Sequence, residues 1–563
     1  MTDEADQHLC RDRTCLSREV HARNGYWQAC HVMRMEKRNA LMIPSQQGAF
    51  AKDFMRDIPR GLRNRFLREQ KIPQASWQLP ENILASSAMD YDPNDPGGKI
   101  LIGALGDKLI GIEDNRHVLT VAGSRAGKSV TIVSNLLFYQ GSVLATDPKA
   151  ELASITAKRR AALGQKVYVL DPFGYASEEV APYRAAYNPL AVLSPDSPTI
   201  IEDAGLIADA LVIAAGKDPH WDDSARNFIE GLILHVATYD RYEGRRNLVT
   251  VRELIGAAMT TFKASEDARP EYALLNLMQD NAFQLEDAAD DNDVIADLAA
   301  AIDSSARDFY EKDPREMASV LSTVRRHTKF LDYTAIRKVL SGHDFDLADL
   351  KREPNGITVY LCLPAVRMGM CNRWLRLFIN QLLDAMEREK TKPKAPVLVC
   401  LDEFPVLGYM RQLEDAAGQI ASFGVKLWVI LQDWGQGKAL YKERWETFAG
   451  NAGILQFFGN NDLSTTEYIS KRLGKTMVEV ARDGEVGQKQ AEEGMTGRSQ
   501  VTRHYELMAP EEIARHFARS DRLKRQLVMW AGYNPMILQR VEYYDDASPN
   551  YHWFGGKFET LQV

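Results

Sequence analysis

The stretch HVLTVAGSRAGKSVTIVSNLLFYQ, which runs from His117 to Gln140, decides the fold of this chain. It begins as a short apolar strand, continues through a glycine-containing loop (Ala122 to Ser129), and ends with the apolar spacing of a helix. Backbone N–H groups of such a loop, together with the N-terminus of the following helix, form a cradle for phosphate groups. The stretch therefore predicts an α/β fold with a nucleotide bound at this loop.

Each residue of the loop has a predicted role. Lys128 is expected to reach the β- and γ-phosphates of ATP, and Ser129 to hold Mg²⁺ through its hydroxyl. One position departs from the strict motif, because Ala122 stands where glycine is usual. ATP and Mg²⁺ are thus the predicted cofactors. The predicted nucleotide-binding residues are Gly123, Ser124, Arg125, Ala126, Gly127, Lys128, Ser129 and Asp402.

Two further apolar runs end in polar residues suited to phosphate chemistry. VLVCLDEF (Val397 to Phe404) predicts a buried strand that ends in Asp402, a second Mg²⁺ ligand beside Ser129, and in Glu403, a general base for the attacking water. VKLWVILQD predicts a strand that ends in Gln432, a sensor of the γ-phosphate, although an ordinary polar strand end also fits. The predicted catalytic residues are Glu403, Lys128 and Gln432.

The alternation of apolar runs with helical stretches indicates a mostly parallel sheet covered by helices. The predicted strands lie in HVLTVAG, GSVLATDP, KVYVLDP, GITVYLCLP, APVLVCLDE, VKLWVILQD and AGILQFFGN. Residues 196–345 have helical spacing and no convincing strand, which predicts an all-α domain inserted into a discontinuous nucleotide-binding domain of residues 91–195 and 346–563. Residues 1–90 are predicted to be a polar leader, and residues 481–503 a mobile loop.

The composition permits a large core and excludes few classes of function. The chain has 563 residues, of which 45% are hydrophobic, and this is enough for roughly two to four domains. Its formal net charge of -8 means that any nucleic acid must be bound by a local basic surface. The best candidate for a membrane span, Ala204 to Gly216, is shorter than the ~20 residues required and contains Asp209. We therefore predict no transmembrane helix and a cytoplasmic location.

Taken together and in this order, the motifs resemble the TraG/TraD-type coupling proteins of type IV secretion systems. The resemblance extends over residues 100–546 and includes several segments outside the phosphate loop. These segments are ATDPKAEL (145–152), VYVLDPF (167–173), HWDDSARNFIEGLILHV (220–236), LDEFPVLG (401–408), FFGNNDLSTTEYISKRLG (457–474) and QLVMWAGYNPM (526–536).

The resemblance implies a RecA-like P-loop ATPase that assembles as a homo-hexamer with its all-α domain at the cytoplasmic mouth. Its expected partners are single-stranded DNA, a relaxase or an effector protein, and components of the type IV secretion channel. Family members usually carry two transmembrane helices ahead of the ATPase domain, whereas none is predicted here. Contact with the inner face of the bacterial inner membrane is therefore expected only through a partner.

A second departure from the family concerns catalysis. Relatives have an arginine finger three residues before a glycine, and here Ala421 precedes Gly424 at that spacing. Lys426, Arg411 or Arg226 are candidate substitutes for this arginine. Two alternative functions stay open at this point: a duplex-DNA-pumping ATPase of the HerA/FtsK kind, and a weakly active nucleotide-binding scaffold that recruits substrates.

Overall fold

The computed structural model describes residues 75–213, 219–263, 271–290, 292–483 and 498–558. Most of the predicted leader lies outside these residues, and its described end contains one short helix, α1 (Pro80–Leu84). Within the described chain, no helix combines the length and the apolar character that a membrane span requires.

The strands of the described chain form one large sheet and two small ones. They are β1 (Ile100–Leu105), β2 (Lys108–Ile112), β3 (His117–Ala122), β4 (Val143–Asp147), β5 (Lys166–Leu170), β6 (Thr261–Phe262), β7 (Glu271–Tyr272), β8 (Ile357–Cys362), β9 (Val397–Leu401), β10 (Val425–Leu431), β11 (Ala452–Phe458), β12 (Lys475–Asp483), β13 (Arg498–Glu506), β14 (Arg525–Trp530) and β15 (Met536–Gln539). The large sheet has the order β2-β1-β15-β14-β11-β3-β10-β9-β4-β8-β5.

The helices that follow α1 cover the sheet and fill the long connection between β5 and β8. They are α2 (Lys128–Leu136), α3 (Glu151–Ala162), α4 (Ile200–Leu211), α5 (His220–Thr238), α6 (Leu248–Ala257), α7 (Ala273–Ala289), α8 (Asp293–Tyr310), α9 (Pro314–Thr328), α10 (Thr334–Leu340), α11 (Asp349–Arg352), α12 (Ala365–Arg388), α13 (Arg411–Ala416), α14 (Trp434–Tyr441), α15 (Arg444–Gly450), α16 (Leu463–Leu473), α17 (Pro510–His516) and α18 (Tyr551–Phe554).

The seven predicted strands are all present and form one continuous parallel block, β11-β3-β10-β9-β4-β8-β5. The other four strands of the large sheet, β2, β1, β15 and β14, extend it in antiparallel pairs beyond β11. These four strands were not among the predicted ones. The α/β class with a mostly parallel central sheet is confirmed, and the antiparallel extension is an addition to it.

Side chains of the central strands alternate between two buried cores, one on each face of the sheet. In β9, Val397, Val399 and Leu401 belong to one core, whereas Leu398 and Cys400 belong to the other. A strand in the middle of a sheet that is covered on both faces has no solvated side, so nearly every residue in it is apolar. This burial explains why the parallel strands appear as uninterrupted apolar runs in the sequence.

Between β5 and β8 the described chain is helical except for one small pair of strands. Helices α4 to α11 lie in this interval, and β6 pairs with β7 as an antiparallel ladder of two residues per strand. These two strands were missed because each is far shorter than an ordinary strand and largely exposed. The domain boundaries given above stay predictions.

The loop prediction for residues 481–503 was wrong at both ends of the segment. Residues 481–483 belong to β12 and residues 498–503 to β13, and the two strands pair in antiparallel register over nine residues each. The centre of the predicted loop, residues 484–497, lies outside the described residues. Gly, Gln and Glu dominate this stretch, so its composition did not indicate strands. Strand propensity depends strongly on tertiary context, which the sequence pattern does not record.

Candidate nucleotide site

The predicted site residues follow four strands that are neighbours in the sheet. The strand order β3-β10-β9-β4 brings the carboxyl ends of these strands to one edge of the sheet. Lys128 follows β3 through the loop, Gln432 follows β10, Asp402 follows β9, and Asp147 is the last residue of β4. In open α/β sheets ligands bind at this edge, so the topology assembles a single site from four distant segments.

The phosphate loop requires glycine at two positions for different reasons. A β-carbon at Gly123 would overlap the carbonyl oxygen of Gly459, which lies in the turn after β11. Gly127, directly before α2, has a left-handed backbone with φ 98°, which only glycine adopts at little cost. Arg125 is also left-handed, with φ 57°, although it carries a side chain. The loop therefore has the tight curvature that turns successive N–H groups toward a bound anion.

The alanine that departs from the strict motif has a structural role. Ala122 is the last residue of β3 and is fully buried. It packs with Ala126 and Phe458 in a small apolar cluster that joins the loop to the end of β11. The methyl group thus occupies space between the loop and the neighbouring strand. Ser124 and Arg125, at the tip of the loop, are exposed.

The amine of Lys128 lies against the loop and close to two carboxylates. Its Nζ donates to the carbonyl oxygens of Ala122 and Gly123, at 3.2 Å and 3.3 Å. Burial lowers the pKa of Lys128, and the negative charges of Glu403 and Asp402 oppose this shift. The arrangement places a partly buried cation where phosphate groups would meet the loop.

Ser129 and Asp402 form the oxygen pair that a magnesium ion would need. The Ser129 hydroxyl donates to Asp402 Oδ2 at 3.3 Å, although the two residues are 273 positions apart. Burial, and then the charge of Glu403, raises the pKa of Asp402 to about 6. A hydroxyl and a carboxylate are hard oxygen donors of the kind that Mg²⁺ prefers, and Mg²⁺ is commonly held by one or two carboxylates together with phosphate oxygens. The donor set therefore fits the ion.

Glu403 is held between the end of β9 and the end of β10. Its backbone is left-handed, with φ 55°, and its N–H donates to Asp402 Oδ1 at 3.1 Å. The Gln432 side-chain amide donates to both carboxylate oxygens of Glu403, each at 3.2 Å. The backbone N–H of Gln432 in turn donates to Gln436 Oε1 at 2.9 Å. Gln432 is therefore in direct contact with Glu403, the predicted base. It also lies at the same edge of the sheet as the phosphate loop.

Asp147 lies beside the site and serves the structure around it. Its carboxylate accepts the N–H of Ala153 at 2.9 Å, which caps the first turn of α3. Burial raises the pKa of Asp147 to about 7. Next to it, the hydroxyl of Thr146 donates to the backbone oxygen of Asp402 at 2.8 Å. Lys149 and Glu151 form an exposed ion pair at 3.8 Å.

Two groups at the site were not found from the sequence. The turn after β11 supports the loop, because Gly123 N donates to Phe458 O at 3.2 Å and Gly459 contacts Gly123 directly. The side chain of Arg540, beyond β15, donates to the carbonyl oxygen of Ala126. A Gly-Asn pair after an apolar run was a usable signal for the turn. Arg540 has no such local signal.

The three candidate substitutes for the arginine finger lie in different environments. Lys426 is in β10 and only 1% exposed, so it cannot extend toward a second molecule. Arg226 pairs with Asp209 at 3.3 Å and with Asp223 at 2.9 Å. Arg411, at the start of α13, has a side chain that is 81% exposed. Arg411 is therefore the accessible cation among the three.

Ala421 itself lies in a one-turn helix (Ile420–Phe423) directly before β10. It is therefore at the amino end of a strand whose carboxyl end carries Gln432. The length of β10 therefore separates this position from Gln432 and from the nucleotide site of its own chain.

Comparison with known proteins identifies relatives over most of the chain. The family model described as type IV secretory system conjugative DNA transfer matches residues 66–562. The conjugal transfer protein TraG of Escherichia coli is 26% identical over 474 residues, covering 79% of this chain and 70% of TraG. The type IV secretion system-coupling protein VirD4 of Bartonella quintana is 26% identical over 447 residues, covering 76% of this chain and 63% of VirD4. The matched part thus spans about two thirds of these relatives.

Solved structures of a conjugative coupling protein share the fold. The trigonal form of TrwBdeltaN70, in complex with sulphate, aligns with a TM-score of 0.56 at 14% identity and covers 84% of this chain and 95% of that one. TrwB in complex with ADP and Mg²⁺ aligns with a TM-score of 0.52 at 16% identity, covering 76% and 86% of the two chains. At these identities the likeness shows the RecA-like P-loop fold alone.

Proposed function

The chain belongs to the type IV secretory system conjugative DNA transfer family, the family of type IV coupling proteins, and on that premise we propose that it is a coupling ATPase. It recruits a DNA–relaxase complex or a protein substrate and uses ATP hydrolysis to drive it to the secretion channel. One observation carries the proposal: the phosphate loop, the Ser129–Asp402 pair and the Glu403–Gln432 pair meet at one edge of the sheet.

In the proposed reaction the phosphate loop binds the triphosphate of ATP. Loop N–H groups and the N-terminus of α2 receive the phosphate oxygens, and Lys128 reaches the β- and γ-phosphates. Ser129 and Asp402 would hold Mg²⁺, which supplies charge stabilisation to the phosphate oxygens when it is bound. These interactions position the γ-phosphate in front of Glu403.

Glu403 orients the attacking water and accepts a proton from it as the water oxygen bonds to the γ-phosphorus. The bond between the γ-phosphorus and the β,γ-bridging oxygen breaks, which releases ADP and inorganic phosphate. The amide of Gln432, which donates to both oxygens of the carboxylate, restricts the carboxylate to one orientation. Any movement of Gln432 toward the γ-phosphate weakens this contact. The presence of the phosphate is thereby linked to the position of β10 and of α14, which follows it.

The proposed partners are single-stranded DNA, a relaxase or an effector protein, and the channel components. The proposed working form is a homo-hexamer in which ATP lies at the interfaces between subunits. We place it in the cytoplasm, at the inner face of the membrane through a partner. Relatives have their arginine finger at the position of Ala421, and this position lies at the amino end of β10, away from the site of its own chain. This placement supports a ring in which neighbouring subunits share the sites.

Ala421 also favours a second candidate function. An arginine finger contributes on the order of 10³ to 10⁵ in rate in well-studied P-loop systems, and alanine supplies no charge. A chain without an effective substitute would bind ATP yet hydrolyse it very slowly. It would then act as a nucleotide-binding scaffold that recruits substrates for another ATPase.

The test is ATP hydrolysis by the purified full chain, alone, with single-stranded DNA and with duplex DNA. Glu403→Gln is the matched variant, because it keeps the size and polarity of the side chain and removes the base. We expect turnover that single-stranded DNA stimulates, and a decrease of about 10²- to 10⁴-fold in Glu403→Gln, as is typical when a general base is lost.

Each outcome of this experiment separates the candidate functions. Stimulation by duplex DNA alone would favour a duplex-pumping ATPase and contradict the proposed substrate. Nucleotide binding without turnover in any condition would favour the scaffold. Arg411→Ala tests the accessible cation, and loss of turnover in that variant with unchanged ATP binding would identify it as the substitute for the finger.

A further inference from the structure

Arg540 contacts the phosphate loop from a distant part of the chain. It directly follows β15 and lies 414 positions from Ala126, whose carbonyl oxygen accepts a hydrogen bond from Arg540 Nη1. The same Nη1 is 3.8 Å from the point at which a β-carbon of Gly127 would stand. The Arg540 residue is only 9% exposed. A buried cation thus lies directly against the backbone of the predicted phosphate cradle.

Three further contacts hold the backbone and the guanidinium of Arg540 in place. Its Nε donates to the carbonyl oxygen of Lys524 at 3.3 Å, and its backbone N–H donates to the same oxygen at 2.8 Å. Its Cζ lies 5.2 Å from the centroid of the Phe458 ring, a distance at which a cation and an aromatic face attract. Arg540 therefore has a fixed position beside the loop.

The contact with Ala126 determines which way the next peptide group faces. In a planar trans peptide the C=O and the following N–H point in opposite directions. A hydrogen bond that holds the Ala126 carbonyl toward Arg540 therefore turns the Gly127 N–H to the other side of the peptide plane. Gly127 is left-handed and directly precedes α2, so this N–H lies where the loop passes into the helix.

We propose that Arg540 is a positioning residue of the nucleotide site. It fixes the Ala126–Gly127 peptide so that the Gly127 N–H faces a bound phosphate, and it adds positive charge behind the loop. This inference rests on the proposed function, because it requires that the loop binds the phosphates of a nucleotide. It assigns to the antiparallel extension of the sheet a part in nucleotide binding.

The test measures the binding of a fluorescent ADP analogue and of inorganic tripolyphosphate to the full chain. Arg540→Gln is expected to raise both dissociation constants by about 10- to 100-fold, the effect of losing a charge-assisted hydrogen bond. Arg540→Lys keeps the charge but cannot donate to two carbonyls from one rigid plane, so we expect a weakening of about 3- to 10-fold. Equal losses for both ligands are expected, since the loop contacts phosphate and not the base.

Arg160→Lys is the matched control for a purely structural effect. Arg160 is a fully buried arginine of α3 that donates to the carbonyl oxygens of Leu136 and Gly141, at 3.2 Å and 2.7 Å, and not to the loop. This variant is expected to lower the melting temperature and leave both dissociation constants unchanged. A matching loss of affinity in the control would overturn the inference, because any damage to the fold would then suffice.

The remaining outcomes separate this inference from the proposed function. A folded Arg540→Gln that binds both ligands as tightly as the wild type overturns the inference and leaves the proposed function intact. If that variant does not fold, a folded Arg540→Lys with wild-type affinity has the same consequence. A wild-type chain that binds neither ligand overturns the proposed function and the inference together.

Discussion

Glu403 combines a strained backbone with a constrained side chain. A residue other than glycine in the left-handed region costs on the order of 1–3 kcal/mol and persists only where its surroundings determine it. Here the N–H contact with Asp402 and the amide of Gln432 supply these surroundings. The hydrogen bonds from Gln432 hold the carboxylate at the end of β10.

Gln432→Ala tests whether this contact matters for turnover. The substitution removes the donor to both Glu403 oxygens, and we expect kcat to fall about 10- to 100-fold with a smaller change in KM, since hydrogen bonds to charged groups contribute about 1.5–3 kcal/mol. Steady-state kinetics provide the measurement. Gln419→Ala, a change at an exposed position outside the site, serves as the control. An unchanged kcat in Gln432→Ala would contradict the role given to this residue.

Lys426 is a buried cation that weakens the fold at neutral pH. Its ammonium group has no hydrogen-bond partner within the described part of the chain, and burial lowers the pKa of Lys426 to about 8. Asp114 and Glu113 oppose this shift only in part. Because one pKa unit corresponds to about 1.4 kcal/mol, we expect Lys426→Met to raise the free energy of unfolding at pH 7 by about 1–3 kcal/mol.

The sign of the pH dependence follows from the lowered pKa. Between about pH 8 and the ordinary lysine pKa of about 10.4, the unfolded chain binds a proton at this residue and the folded chain does not. The Lys426 contribution to unfolding free energy therefore rises with pH across this window. Melting curves of the wild type and Lys426→Met should show a smaller difference in stability between the two proteins at pH 10 than at pH 7. A constant difference would contradict the assignment.

At the scale of elements, α12 joins the segment after the predicted base to the helical region between β5 and β8. Arg376 of α12 is 4% exposed and donates to three backbone carbonyls, those of Leu407 at 3.0 Å, Tyr409 at 2.7 Å and Ala210 at 3.3 Å. Leu407 and Tyr409 follow Glu403 closely, and Ala210 lies in the last turn of α4. One side chain thus connects the site to the helical region.

Arg376→Met should destabilise the chain, because it leaves three carbonyl oxygens in the interior without this donor. We expect a loss of about 2–4 kcal/mol in unfolding free energy, given a cost of about 1–3 kcal/mol for each buried group left unpaired and partial relaxation around it. Chemical denaturation provides the measurement. Arg411→Met, at an exposed arginine of the same neighbourhood, should have nearly the unfolding free energy of the wild type. Equal losses of unfolding free energy in both variants would contradict the role given to the Arg376 hydrogen bonds.

The packing of the loop against the turn after β11 makes a further prediction for these elements. In Gly123→Ala the new methyl group overlaps the Gly459 carbonyl, so one of the two segments must move. We expect nucleotide affinity to fall about 10- to 100-fold, since overpacking typically costs 1–3 kcal/mol. Gly256→Ala, in α6, where an added methyl group has no atom within 4 Å, should bind nucleotide as the wild type does. Wild-type nucleotide affinity in Gly123→Ala would contradict this prediction, because it would show that the turn after β11 moves to accommodate the methyl group.

At the scale of the whole molecule, the parallel block holds the site and supports the loop through Phe458 and Gly459, at the end of β11. The antiparallel extension supports the loop through Arg540, which follows β15. In the proposed ring, a cation that approaches the nucleotide from the position of Ala421 would come from another molecule, because this position lies at the amino end of β10. Completion of the site by a neighbour would make assembly part of catalysis.

We therefore expect ATP to promote self-association of the full chain. Glu403→Gln with ATP should sediment as a hexamer, because bound ATP persists when the base is absent, and Lys128→Ala should stay smaller. Sedimentation velocity with and without ATP provides the measurement. A monomer under all conditions would contradict the proposed ring and favour the scaffold function.

The sequence by itself determined the parallel core and the local parts of the site. Strands buried on both faces must be continuously apolar, so β3 to β5 and β8 to β11 were visible as runs. A glycine-containing loop before a helix, and an acidic pair after a strand, are patterns formed by residues that are neighbours in the sequence. Such features depend only on positions close together in the chain, and they could be predicted.

Only the tertiary structure decided which distant segments meet. The hairpin of β1 and β2 joins the sheet through β15, and β14 joins it through β11. These pairings depend on contacts between distant segments that no local pattern records. The contact of Gly459 with Gly123, the donation from Arg540 to Ala126, and the burial of Lys426 arise in the same way. Strand order brings these residues together across hundreds of positions, and strand order is a property of the folded chain.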